Sequence, residues 1–402
     1  MIKSLSKGRF AQNGVLALAA VLTGFLILEL IARTIVVLPL PYPADKSLLV
    51  FDQRGYWIND PGTAGVFDNR VDFRDRTFTI DAGGGRGTPC RIDKTAASRR
   101  LIVVGDSETF GWGLDDAESW PNRLQCRLVE AGLDIAVHNL GVPATNLDQY
   151  YFRIRHFAGA LRAGDIVLFV VTWNDFHTEQ GGNFPPLEPF SCDWARARAT
   201  VPGAIFPACL LDPIQRYQEE TTWRKWLHAR TGLFVPSFDG LKAFADSAPF
   251  ASALAHILIP RARMLYYRLR GGHTLTKVGP EVFESNGAIM GRIGAFLGAR
   301  NVAHHFLFLP FRGSADDVLY ASYSQGGTVF PEQDFLYHYG RPICARQNLS
   351  CRSLFATLRS AEANKYTFAF DGHLNPRGAD AVAERIFRWI AAGDMDRPFR
   401  SE

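Results

Sequence analysis

Ser107 stands three residues beyond the apolar run Leu101–Val104, after Gly105 and Asp106. A short β-branched strand that runs straight into a glycine turn presents a hydroxyl at its end. In open α/β sheets that end faces the ligand crevice. A serine hydroxyl is a poor nucleophile at neutral pH until a base takes its proton. His373 is the candidate base, because imidazole titrates near the working pH, and Asp371 is the candidate orienter of its ring. Gly141, in the block Val137 to Pro143, offers a backbone N–H with no side chain in the way. Asn174, after the run Ile166–Val171, offers a side-chain amide. With the N–H of Ser107 these make three candidate donors for the oxyanion of a tetrahedral acyl-transfer intermediate.

The elements that must position these groups alternate between strand and helix. Strands are expected at Leu101–Val104, Ile135–Asn139, Ile166–Val171 and His305–Leu309, with helices at Ser119–Ala131, Leu147–Leu161 and Arg377–Ala391. Pro376 suits the first turn of the last helix. Such alternation predicts a parallel, doubly wound sheet. Asp106 is expected to satisfy N–H groups of its own turn, and Asp175 to cap locally. Glu108, directly after the nucleophile, is expected to perturb the titration of its neighbours. Trp112 and Trp173 flank the site, either as core packing or as a platform for a sugar ring. His177 is a weaker rival base, and His304 and His305 point to opposite faces of a strand, which makes no simple metal pair.

These blocks, in this order, resemble the SGNH/GDSL hydrolase family, whose four named residues match Ser107, Gly141, Asn174 and His373. The stretch Gly105 to Pro121 is similar to a membrane-anchored bacterial branch of that family. The resemblance runs from about Arg99 to Trp389, apart from a long middle segment. It implies a flavodoxin-like three-layer α/β/α sandwich, no cofactor, and esterase or acyl-transfer chemistry on O-acyl groups, often of carbohydrates. Two positions depart from the family pattern. Thr172 replaces a usual glycine, which is expected to narrow the approach to the ester, and Asp371 precedes His373 by two residues rather than three. Three functions stay open at this point. One is an esterase removing O-acyl groups, with acetyl expected, from a carbohydrate. The second is a polysaccharide O-acetyltransferase with the same triad. The third is a non-catalytic scaffold subunit of an envelope complex, for which Thr172 and Glu108 are the only support.

The 402 residues are 47% hydrophobic and 21% charged, enough for a large core. A net charge of +4 with dispersed basic residues leaves no nucleic-acid footprint. Lys3, Lys7 and Arg9 precede the uncharged stretch Val15 to Leu28, Glu29 and Arg33 follow four apart, and Pro39 and Pro41 end the apolar region. A helix over 15–38 would be about 36 Å long, sufficient for a bilayer. Its positive flank predicts a single-pass inner-membrane anchor with a cytoplasmic N-terminus and a periplasmic catalytic part. A cleaved signal peptide is the rival, without a small-x-small site to support it. The expected organisation is a cytoplasmic stretch 1–14, the anchor 15–38, a membrane-proximal segment 39–97, the catalytic domain 98–175 and 303–394, and a mainly helical insertion 176–302 over the site. Helices are expected within that insertion at Ile214–Ala229 and Glu281–Leu297. The stretch Phe250 to Leu269 packs on the sheet domain or lies on the membrane. The expected partners are an O-acylated carbohydrate, the membrane, and envelope polysaccharide assembly proteins. Six cysteines beyond an anchor suggest disulfides. Proximity pairs Cys192 with Cys209 and Cys344 with Cys351, which leaves Cys90 with Cys126.

Overall fold

A computed structural model of the chain describes residues 20–21, 23–24, 27–28, 48–52, 56–69, 71–87, 90, 92–93, 96–143, 145–176, 280–325, 332–369 and 371–396. Two short antiparallel pairs come first: β1 (Leu49–Asp52) with β2 (Tyr56–Asn59), and β3 (Ala64–Phe67) with β4 (Arg76–Thr79). Five parallel strands follow, β5 (Arg99–Gly105), β6 (Ile135–Gly141), β7 (Ile166–Val171), β8 (Ala303–Phe308) and β9 (Cys351–Ser353). They lie in the order β6-β5-β7-β8-β9. Between and after them run α1 (Ser107–Phe110), α2 (Trp120–Glu130), α3 (Leu147–Phe157), α4 (Pro280–Gly298), α5 (Phe335–Arg346) and α6 (Pro376–Ala391).

Alternation along the strands divides the core into two layers. Leu101 and Val103 of β5 pack with Leu124 and Leu128 of α2 and Val382 and Ile386 of α6. Ile102 and Val104 face the other way, toward Tyr150 and Ile154 of α3, Met290 and Ile293 of α4, and Ile343 of α5. The sheet is therefore covered on both faces, as a parallel sheet requires. The strand order reverses direction between β5 and β7, and such a switch point opens the ligand crevice of a doubly wound fold at the carboxyl ends of the strands. That order is the flavodoxin-like one.

The residues ahead of the sheet do more than link it to the N-terminus. Phe67, Phe73 and Phe78 join Phe110 and Trp112 in the core layer that also holds α2 and α6. Phe67 lies 4.6 Å from Phe78 and 4.7 Å from Trp112 between ring centroids. The side-chain amide of Asn59 donates to the Gly141 carbonyl at 2.9 Å. Disulfides join Cys90 to Cys126 and Cys344 to Cys351. The first ties the segment before β5 to α2.

The chain divides into two compact units, residues 1–41 with 222–270, and residues 42–221 with 271–402. The described part of the first is a set of helical positions from 20 to 28, among which Val21, Ile27 and Leu28 are exposed. No helix among the described residues is long and apolar enough to cross a membrane. Most of the expected span 15–38 lies outside the described residues. So do His177, Cys192, Cys209, the expected helix Ile214–Ala229 and the stretch 250–269. The described ends of the insertion meet at Phe176 and Phe283, with ring centroids 4.3 Å apart.

Candidate active site

β5 delivers the nucleophile. Its last residue, Gly105, pairs in register with Gly141 of β6, and α1 begins two residues later at Ser107. Asp106 caps α1, its carboxylate accepting the Glu108 N–H at 2.9 Å. Gly111 ends it in the left-handed region, with φ +90. The turn is tight enough to dictate its neighbours: a Cβ at Gly141 would lie 2.3 Å from the Phe110 nitrogen.

The loop before α6 brings the base. His373 Nε2 lies 2.8 Å from Ser107 Oγ, and His373 Nδ1 lies 2.5 Å from Asp371 Oδ1. Gly372 between them has φ +94, a conformation that suits glycine and returns both side chains to one side of the loop. That reversal is how a two-residue spacing serves. The Asp371 N–H donates to Asp72 Oδ2 at 2.6 Å, and the Trp112 indole hydrogen-bonds the Asp371 carboxylate. Burial alone would lower the His373 pKa, but the charge and hydrogen bond of Asp371, then the charges of Glu108 and Asp106, raise it to about 9. Burial likewise opposes ionisation of Asp371, yet His373 and Trp112 hold its carboxyl below the usual range.

The donors are less open than their residue types suggest. The Ser107 N–H makes no hydrogen bond among the described residues. Gly141, expected to offer its N–H to a ligand, donates it instead to Asn139 Oδ1 at 3.0 Å. Its glycine character answers the close approach of α1. The Asn174 amide gives one hydrogen to Asp106 Oδ2 at 3.2 Å, which leaves the second. Its oxygen accepts the Thr172 hydroxyl at 2.6 Å.

Thr172, expected to crowd the ester, is buried and turned inward. Its Oγ1 lies 3.0 Å from Asp106 Oδ2 and 3.3 Å from Asp175 Oδ2. Asp175 also accepts the Thr172 N–H at 2.6 Å and the Tyr150 hydroxyl at 2.7 Å. Burial pushes the Asp175 carboxyl well above its ordinary range, reinforced by the charge of Asp106, and burial raises Asp106 too. Burial also pushes Glu108 up to about 7, against the pull of His373.

The arrangement is one that can support chemistry by an activated serine. A nucleophile, a base and an orienter form one hydrogen-bonded line at the carboxyl edge between β5 and β7, with N–H donors beside it. The two tryptophans beside the site differ. Trp112 is core, its ring centroid 6.0 Å from that of His373, whereas Trp173 is half-buried against Phe311. Sequence reasoning missed Asp72, Arg86 and the roles of Thr172 and Trp112 in holding the site. Only their positions beside the motifs could have signalled the last two.

No protein-family model matches the chain, and no curated protein matches it. Among solved structures it is similar to a member of the lipolytic protein G-D-S-L family from Veillonella parvula, at 10% identity and TM-score 0.35, over 73% of this chain and 99% of that one. It is also similar to a psychrotrophic esterase from Pseudoalteromonas, at 10% identity and TM-score 0.34, over 73% and 97%. An acetyl xylan esterase from Geobacillus stearothermophilus matches at 11% identity and TM-score 0.34, over 73% and 95%. Likenesses this remote carry no functional argument, and the geometry above stands without them.

Proposed function

We propose that the protein is a membrane-anchored serine esterase of the SGNH type that removes O-acyl groups, with acetyl the expected one, from a carbohydrate. The observation that carries this reading is the continuous line Asp371–His373–Ser107, at 2.5 and 2.8 Å. His373 Nε2 takes the Ser107 proton as Oγ attacks the acyl carbonyl, while Nδ1–H stays on Asp371. The oxyanion that forms is met by the Ser107 N–H and the second amide hydrogen of Asn174. Collapse expels the sugar alkoxide, which takes the proton from His373. Water, deprotonated by the same imidazole, then attacks the acyl-enzyme, releases the carboxylate and restores Ser107.

The choice of an O-acylated carbohydrate rests on the family resemblance of the four blocks. Anchoring is supported by the uncharged run Val15 to Leu28 behind a basic flank and by the exposure of Val21, Ile27 and Leu28. The disulfides at Cys90–Cys126 and Cys344–Cys351 suit a periplasmic catalytic part.

The test is labelling of the detergent-solubilised protein with a fluorophosphonate probe, beside Ser107→Ala. Labelling that vanishes in the variant is expected; labelling that persists in it, or fails in both, overturns the reading. Free acetate released from an acetylated glycan is then expected. Acetate appearing instead on a deacetylated glycan would replace hydrolysis by transfer.

A further inference from the structure

The nucleophile turn and the loop that carries the base are joined twice, at consecutive residues. Ser107 meets His373, and Glu108, the next residue, accepts the backbone N–H of Leu374, again the next residue, at 3.0 Å through Oε2. Glu108 is itself held on both sides of its backbone. Its N–H donates to Asp106, and its carbonyl accepts the Trp120 indole N–H at 3.1 Å. Among the described residues the loop is also held by Asp72 on the Asp371 N–H and by Trp112 on the Asp371 carboxylate. A bridge holds it too, in which the His373 carbonyl accepts the Phe368 N–H at 2.8 Å and the Asn375 N–H donates to the Tyr366 carbonyl at 3.0 Å; the Leu374 N–H between them goes to Glu108. Gly372, at φ +94, supplies no side-chain restraint of its own. A carboxylate kept among buried groups is costly. What it provides at this position is a hydrogen bond across the two halves of the triad.

On the serine-hydrolase reading above, we propose that Glu108 is a positioning residue, whose carboxylate fixes the Leu374 amide and so seats the His373 ring on the Ser107 hydroxyl. Glu108 touches no reacting atom; it acts through the loop.

The test is the rate of fluorophosphonate labelling of the full chain in detergent, with thermal stability measured beside it. In Glu108→Gln the amide oxygen still accepts the Leu374 N–H, so labelling stays within about threefold of the unaltered protein. Glu108→Ala has no acceptor, and Glu108→Asp falls one methylene short, so both label more slowly by about tenfold or more. Rescue by Gln at unchanged melting temperature separates positioning from mere packing. Native-rate labelling by the Asp variant overturns the proposal even if the Ala variant does not fold. So does a Gln variant as slow as the Asp variant. Persistent labelling of Ser107→Ala would instead overturn the serine reading, so the two failures are distinguishable.

Discussion

The guanidinium of Arg86 closes the end of the helix that bears the nucleophile: Nη1 donates to the Phe110 carbonyl at 2.9 Å and to the Gly111 carbonyl at 2.5 Å. Nη2 donates to the Leu114 carbonyl, and Nε pairs with Asp116 at 2.9 Å. Burial lowers the Arg86 pKa, and Asp116 opposes that fall. A cation at a helix C-terminus satisfies carbonyls that have no partner inside the helix. Arg86→Met keeps the stem but removes the donor to those carbonyls and the cation beside the Asp116 carboxylate, which Thr79 still holds. The expected loss is about 3 kcal/mol, read by urea unfolding, with slower probe labelling. A loss under about 1 kcal/mol would show that water replaces the guanidinium without difficulty.

Thr172 and Asn174 are hydrogen-bonded to each other, and on the proposed mechanism they serve the oxyanion together. Asn174→Ala removes a donor, and kcat for a soluble acyl ester should fall about 10²- to 10³-fold with little change in KM. Thr172→Val keeps the shape and deletes only the hydroxyl that holds the Asn174 amide at 2.6 Å. Its loss in kcat should be smaller than that of the alanine variant. The double variant should be no worse than Asn174→Ala alone, and additive losses would refute the coupling.

His373 must be neutral to take the serine proton, and its pKa is raised to about 9. The sign follows directly: below that value the base is protonated, so kcat/KM rises with pH and levels off on the alkaline side. The groups that raise it are Asp371, Glu108 and Asp106. Asp371→Asn removes the first and should move the acid limb to lower pH. It should also lower the plateau by about 10⁴-fold, since the imidazole loses its tautomer. A native profile already flat from pH 7 upward would contradict this arrangement.

His305 contributes to the acid stability. It is 2% exposed, between Ser350 Oγ at 2.7 Å and the Met395 carbonyl at 2.9 Å, and burial depresses its pKa to about 4. The unfolded chain therefore binds more protons between the folded value and the ordinary one near 6.5. Stability contributed by the neutral ring is full above that window and is lost as pH falls through it. Over the whole window the loss is about 3 kcal/mol. His305→Gln should flatten that part of the curve of unfolding free energy against pH.

Much of the sheet was legible because β5 and β7 are buried along most of their length and carry apolar runs rich in valine and isoleucine. The strand Ile166–Val171 lies where it was expected; β5 starts two residues earlier than expected, at Arg99, and runs on to Gly105, and β6 runs on to Gly141. α6 was marked by Pro376 at its start and by Asn375, whose side chain accepts the Arg377 and Gly378 N–H groups. The helix Phe335–Arg346 was hidden by Pro342 in its middle, and β9 by having only three residues. That Ser107, His373 and Asp371 come together was legible from their motifs. What was not legible is that Gly141 spends its N–H on Asn139, or that Asp72, far upstream, holds the Asp371 backbone. Those contacts join residues across the fold and leave no local pattern.

Asn59, Asp72 and Arg86 all come from the segment ahead of β5, and each grips a different part of the catalytic arrangement. A fragment begun at the first parallel strand would keep every motif yet lose the braces on Gly141, on Asp371 and on the end of α1. Shuffling this sheet into another protein would therefore transfer the reagents without their alignment. The portion that must be inherited together for the chemistry is larger than the sandwich that bears it.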